Sequence, residues 1–142
     1  MTKPATGVAG GKVHVGVDLV PVPAVAASLE RWGPRYARRV FTPAELADTA
    51  GSAQASGLAA RFATKEAVIK VLAPVDSPVP WRAIEVCRRP GGRCEVELSG
   101  EAAALAARAG LGSWSLSMCH EGDVAVAVVV AAEQPGGTPW RR

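Results

Sequence analysis

The sequence predicts an α+β fold, and three observations carry the prediction. Apolar and polar residues alternate near the N-terminus and again toward the C-terminus, as on half-buried strands. Between these stretches, Leu58 to Leu72 holds the longest helical periodicity of the chain. Strands and helices follow one another without βαβ regularity, so the class is α+β rather than α/β.

Each element has a local reason. Val13, Val15, Val17 and Leu19 alternate with His14, Gly16 and Asp18, which gives a strand with one apolar face, ended by Pro21 and Pro23. Ala24 to Trp32 reads as a short helix stopped by Gly33-Pro34, and Tyr36 to Val40 as a further helical turn or two. Thr42-Pro43-Ala44-Glu45 starts another helix: Thr caps, Pro takes the first helical position, and Glu completes a capping box. Gly51 to Gly57 is a loop of small residues. In the long helix that follows, Leu58, Phe62, Ile69 and Leu72 fall within about 80° of one another, and Pro74, Pro78 and Pro80 forbid its continuation. Trp81 to Arg88 and Arg93 to Leu98 make a hairpin about Arg89-Pro90-Gly91-Gly92. Ser99 stands where a cap is needed for an Ala-rich helix over Gly100 to Ala109, which Gly110 ends. Ser113 to Cys119 alternates with Trp114, Leu116 and Met118 inward, and His120-Glu121-Gly122-Asp123 forms a turn. Val124 to Ala132 is apolar on both faces, hence a central strand or one at an interface.

The 142 residues suffice for one domain. Residues 1–11 read as a loose leader, 12–133 as the domain and 134–142 as a frayed tail. With 49% hydrophobic and 20% charged residues, a wholly disordered chain is excluded. The 27 Ala and 19 Val, against seven aromatic residues, predict a core of small side chains in which elements approach closely. The longest apolar run, Val124 to Ala132, is far short of the ~20 residues of a membrane span, and the N-terminus has no secretory hydrophobic segment. Cys87, Cys94 and Cys119 have no metal-ligand spacing. Cys87 and Cys94 flank a turn and can approach each other, but reduced thiols in a cytoplasm are expected.

The net charge of +3 suggests a nucleic-acid partner until it is divided along the chain. From Lys12 to Glu133 there are 13 basic and 13 acidic residues, so the fold itself is neutral and a nucleic-acid binder is not expected. Lys12 to Leu72 carries 8 basic and 5 acidic residues, and the remainder to Glu133 carries 5 and 8, which suits the N-terminal half to an anionic ligand.

Three places stand out chemically. In the long helix Glu66 lies about 40° from Phe62 on the helical wheel, Lys70 about 40° further, and Lys65 inside the apolar stripe. Two of the four lysines of the chain sit here, against twelve arginines. One reading is a Glu66–Lys70 helix pair with Lys65 snorkelling; the other is a carboxylate and an ammonium at the edge of a cleft. Asp18, near the end of a hydrophobic strand, is either a strand-end Asp bonded to backbone N–H groups or a metal ligand. Asp18 and Glu66 beside a lysine suit Mg²⁺ on a pyrophosphate, since that ion takes one or two carboxylates and fills its octahedron with water and phosphate oxygens. His120-Glu121, at a turn, is either structural or part of a site. No Walker loop, dinucleotide-binding glycine pattern, zinc pattern or GxSxG is present.

Taken together, these segments closely resemble the holo-[acyl-carrier-protein] synthase family, the short type of 4′-phosphopantetheinyl transferase, over about Val13 to Ala132. The carriers are Val15-Gly16-Val17-Asp18-Leu19-Val20, Val40-Phe41-Thr42-Pro43-Ala44-Glu45, and the helix Leu58-Ala59-Ala60-Arg61-Phe62-Ala63-Thr64-Lys65-Glu66-Ala67-Val68-Ile69-Lys70. Trp81 to Val86, Ser115-Leu116-Ser117-Met118-Cys119-His120-Glu121 and the Val-rich last strand complete the order. The resemblance implies a small antiparallel sheet packed with helices, and homotrimers with sites shared between subunits. It implies Mg²⁺-dependent transfer of 4′-phosphopantetheine from coenzyme A to a serine of an apo acyl carrier protein of fatty-acid or polyketide synthesis, releasing 3′,5′-ADP. Asp18 and Glu66 would hold the metal, and Lys70 would add positive charge. Lys65 would contact phosphate or anchor the helix, with Arg61 among the coenzyme A contacts. His120 would lie near the nucleotide from a neighbouring subunit, and Glu66 or Glu121 would accept the serine proton. No nucleic acid and no membrane are implied. The alternative is a catalytically inactive, trimeric coenzyme A or nucleotide-binding module.

The sequence departs from the family at Val20-Pro21-Val22-Pro23, where an acidic and then a basic residue are common, and in Gly51 to Gly57, which lacks a basic residue. Cys119 stands where Ser is common. Arg35, Arg38 and Arg39, at i, i+3 and i+4, form a basic helix face that suits either solvent or an acidic carrier. The final strand has no polar residue on either face, and a closed trimer would cover the face that its own helices leave open.

Overall fold

The computed structural model describes residues 11–135. The leader and tail expected from the sequence therefore lie almost wholly outside the described residues. Gln134 still belongs to the fold, because its backbone N–H donates to Gly110 O at 2.8 Å.

Strand β1 (Val13–Pro21) runs directly into helix α1 (Val22–Trp32), two residues earlier than the sequence suggests. Pro23 does not delay the helix, because a proline in the first turn lacks only an N–H that would be unpaired anyway. Helices α2 (Pro34–Val40) and α3 (Pro43–Asp48) follow. The α3 capping box is formed as expected: Glu45 N donates to Thr42 Oγ1 at 3.2 Å and Thr42 N to Glu45 Oε1 at 2.9 Å. Helix α4 (Gln54–Leu72) takes in the second half of the expected small-residue loop. A 3-10 turn (Trp81–Ala83) leads into β2 (Ile84–Arg88) and β3 (Cys94–Leu98). Gly91 and Gly92, at φ 89° and 87°, make the tight connection that a side chain would strain. Helix α5 (Gly100–Arg108) forms without a side-chain bond from Ser99, unlike the cap expected. Strands β4 (Leu111–Glu121) and β5 (Val124–Glu133) absorb His120 and Glu121, which leaves Gly122-Asp123 as the turn.

Two antiparallel sheets result. One has the order β1-β5-β4, so the Val-rich strand is central as expected; the other is the β2-β3 hairpin. The α+β class and the antiparallel sheet are as the sequence predicts.

Helix α4 organises the interior. Its buried residues include Leu58, Ala63, Ala67, Val68 and Leu72, but also Arg61, Thr64 and Lys65, so it is covered almost all round rather than along one stripe. It lies close on the sheet because the facing residues are small. Ala125, Ala127 and Ala131 are buried on β5, and a Cβ on Gly16 would sit 2.2 Å from Ala67 O.

This contact also decides which way β1 faces. Gly16 and Val20 turn toward the helix and are buried, and Asp18 shares their face. The apolar face turns outward: Val13, Val15, Val17 and Leu19 are 53–64% exposed. Opposite them in register stand Ala132, Val130, Val128 and Val126 of β5. On the outer face of the sheet, β1 and β5 thus make a contiguous Val-rich surface, bordered on β4 by Ser113, Ser115, Ser117 and Cys119, a pattern that marks an interaction site.

Candidate active site

Asp18, Glu66 and Lys70 come together on the β1 flank of α4. The Asp18 carboxylate reaches the cluster from the inward face of the edge strand. Lys70 Nζ donates to Asp18 Oδ1 at 3.0 Å and to Val17 O at 2.9 Å. Of the two readings open for Lys70, its hydrogen bonds thus run across to the strand rather than to Glu66 one turn away. Burial raises the proton affinity of Glu66, the negative charge of Asp18 raises it further, and Lys70 partly offsets both. Two neighbouring carboxylates next to an ammonium suit a divalent cation, which offsets the repulsion between them.

A second group lies on the other flank of α4. A pocket of about 550 Å³ there is lined by Arg61, Arg88, Arg93, His120, Cys94 and Cys119, among others. Arg61 is 1% exposed. Its Nη1 donates to Gly57 O at 3.1 Å, whereas its buried Nε and Nη2 have no hydrogen-bond partner. Burial lowers the proton affinity of this guanidinium. Part of this buried guanidinium is thus left without a hydrogen bond, which costs free energy. Sequence reasoning picked out Arg61 and His120 but missed Arg88 and Arg93. Their signal was the arginines bracketing the Pro90-Gly91-Gly92 turn.

The two groups do not meet within one chain. Asp18 and Met118 both pair with Ala127 from opposite sides of β5, and His120 lies two residues beyond Met118 on the far edge. Two strand spacings, about 10 Å, separate those edges, and α4 packs over the sheet between them. Glu121 is exposed at the same far edge, opposite Val124.

Lys65 belongs to neither group. Its Nζ is fully buried and donates to Glu45 Oε1 at 2.8 Å, to Trp81 O at 3.1 Å and to Ile84 O. All three ammonium hydrogens are taken, so no donor remains for a phosphate. The expected cofactor contact of Lys65 is corrected to the alternative the sequence left open, an anchor for the helix.

One further cluster of ligand-type atoms occurs among the described residues, Glu85–Cys87–Glu97 on the hairpin. Arg89 is paired with Glu97 there, and the carboxylates push the Cys87 thiol up to about 12, burial being the largest cause. A protonated thiol with a paired carboxylate is a poor donor set for Mg²⁺.

This geometry has close relatives. Residues 14–129 match the family model of the ACPS 4′-phosphopantetheinyl transferase superfamily. The chain belongs to that superfamily. A holo-[acyl-carrier-protein] synthase of Frankia alni is 48% identical over 119 residues, covering 84% of this chain and 96% of its own. Among solved structures, a Chronobacterium ammoniagenes ACPS–CoA complex is similar at TM-score 0.77 and 35% identity, over 87% of this chain and 99% of that one. The acyl carrier protein synthase of Mycobacterium tuberculosis is similar at TM-score 0.68 and 36% identity, over 85% and 97%. As a holo-[acyl-carrier-protein] synthase-type phosphopantetheinyl transferase, the chain is an enzyme. No helix among the described residues is long and apolar enough to cross a membrane.

Proposed function

We propose that the protein transfers the 4′-phosphopantetheine of coenzyme A to a serine of an apo acyl carrier protein and releases 3′,5′-ADP, with Mg²⁺ held by Asp18 and Glu66. One observation carries the reading furthest. An acidic, lysine-bearing cluster and a basic pocket lined by Arg61, Arg88, Arg93 and His120 flank a single helix, in a fold whose solved relative binds coenzyme A. Bound Mg²⁺ would neutralise charge on the pyrophosphate oxygens. Lys70 adds a second positive charge there, and Arg61, Arg88, Arg93 and His120 receive the phosphates of the nucleotide. The carrier serine attacks the β-phosphorus while Glu66 or Glu121 accepts its proton. Arg35, Arg38 and Arg39, all exposed on α2, offer an acidic carrier its landing face. Incubation of apo carriers from fatty-acid, polyketide and peptide synthesis with coenzyme A and Mg²⁺, read by intact mass, is expected to add one phosphopantetheine. Binding of coenzyme A with no modification of any carrier would favour the inactive module instead.

Lys70 separates charge from scaffolding. Its own side chain is 55% exposed, so its pair with Asp18 is worth about 0–1 kcal/mol of stability. Lys70→Ala is therefore expected to unfold at nearly the wild-type denaturant concentration yet lose most of its turnover, whereas Lys70→Arg retains much of it. Equal turnover of Lys70→Ala and wild type would reduce the residue to a surface pair.

The separation of the two groups supports a site completed by a neighbour. A closed trimer buries the outward Val13–Leu19 face and brings the His120 edge of one subunit to the Asp18 edge of the next. Sedimentation is expected to give a trimer. Mixed trimers of Glu66→Ala with His120→Ala subunits are expected to regain activity that neither variant has alone. An active monomer would sink the assembly, and failure of proven mixed trimers would sink the shared site.

A further inference from the structure

Two thiols on the β2-β3 hairpin meet opposite surroundings. Cys87 lies on the outer face. Its Sγ donates to Glu85 Oε1 at 3.3 Å, and Glu97 stands beside it. Burial and this acidic cage push the thiol up to about 12, so it is inert toward disulfides near neutral pH. Cys94 lies on the other face, shared by alternation with Val96 and Leu98, which pack on the core. It is half-buried and lines the basic pocket with Arg61, Arg88, Arg93 and His120. Its one hydrogen bond is a long contact to Gly92 O at 3.9 Å. The pocket suits an anion, because Arg61, Arg88, Arg93 and His120 line it and no acidic residue does.

We propose that Cys94 is a regulatory thiol that exchanges with small anionic disulfides drawn into the basic pocket, and that the resulting adduct closes the pocket to substrate. The Cys94 thiol loses its proton to solvent, and its sulfur attacks one sulfur of the disulfide. A new S–S bond forms to the protein, the original S–S bond breaks, and the departing half leaves as a thiolate that takes a proton from solvent. The protein thiol is oxidised and the leaving half is reduced, so no further oxidant is needed. The carboxylates carried in by the adduct occupy the place of the substrate phosphates, and any excess of free thiol reverses the step. The shut-off, though not the labelling, rests on the coenzyme A reading of this pocket.

The test treats the reduced full-length protein with glutathione disulfide, which is anionic, or cystamine, which is cationic, and locates adducts by peptide mass spectrometry. Glutathione disulfide is expected to label Cys94 first, about tenfold faster than cystamine at low salt by electrostatic attraction, with the advantage shrinking as salt rises. Cys87 is expected to stay free. Added 3′,5′-ADP is expected to slow labelling of Cys94, and transfer activity is expected to fall in step with the adduct and return with dithiothreitol. Cys94→Ser is expected to bind 3′,5′-ADP by calorimetry and to resist inactivation. First labelling at Cys119 or Cys87, or equal rates with the two disulfides, would overturn the proposal. So would 3′,5′-ADP that binds without protecting. If 3′,5′-ADP does not bind at all, the coenzyme A reading fails, and the charge preference at Cys94 still decides the thiol chemistry.

Discussion

Asp18→Ala and Glu66→Ala are each expected to lower phosphopantetheine transfer by about a thousandfold or more, where each factor of ten corresponds to about 1.4 kcal/mol of barrier. A bound divalent ion stabilises developing phosphoryl charge by several kcal/mol, and neither carboxylate alone provides the paired seat. Stability should move little. Asp18 is tied to the fold by a pair with the half-exposed Lys70. Glu66 takes up a proton more readily in the folded chain than in the unfolded one. Its contribution therefore favours folding at acid pH and is lost as pH rises through the raised value, so at neutral pH its removal gives up no stability. Turnover at saturating coenzyme A and Mg²⁺, beside a denaturant melt, checks both halves. Near-wild-type turnover of either variant would remove the metal assignment.

Breaking the Glu45–Lys65 pair is expected to have the largest effect on stability. Both side chains are fully buried, and Glu45 also receives the N–H of Thr42 and of Val86. Removing one partner of such a pair strands the other charge and costs about 3–5 kcal/mol. Glu45→Gln and Lys65→Met should therefore each unfold at far lower denaturant, with Glu45→Met/Lys65→Met less damaged than the sum of the singles. The folded fraction of Lys65→Met should keep its turnover per molecule, because this ammonium has no donor to offer a substrate. A variant as stable as wild type but catalytically dead would return Lys65 to the active site.

The elements were legible where local chemistry decides them. The Thr42–Glu45 capping box, the Gly91-Gly92 hairpin and the all-apolar last strand each carry their own cause, and Asp18 and Glu66 betrayed themselves as carboxylates in apolar settings. What local pattern lacks is the identity of the neighbour. Alternation in β1 distinguishes two faces, but only the approach of α4 to Gly16 decides that Val13, Val15, Val17 and Leu19 look outward. A helical wheel assigns Lys65 to the apolar stripe. It cannot reveal that Glu45, twenty positions earlier, and two carbonyls of the hairpin approach will absorb its charge. Arg88 and Arg93 join Arg61 only because the hairpin folds over the start of α4, a long-range fact with no periodicity to announce it.

The placement of the two chemical groups on opposite flanks of α4 has a genetic corollary. If the sites are built between neighbours, as proposed above, each chain would serve two sites, giving acidic residues to one and basic residues to the next. An allele damaged on one flank spoils one site per subunit, whereas an allele damaged on both spoils two. Co-expressed in equal amounts with the intact gene, the doubly damaged allele would leave about one quarter of the sites working and the singly damaged one about half. Dominance of this kind would be graded by how many flanks a mutation touches, not by how severely it damages either.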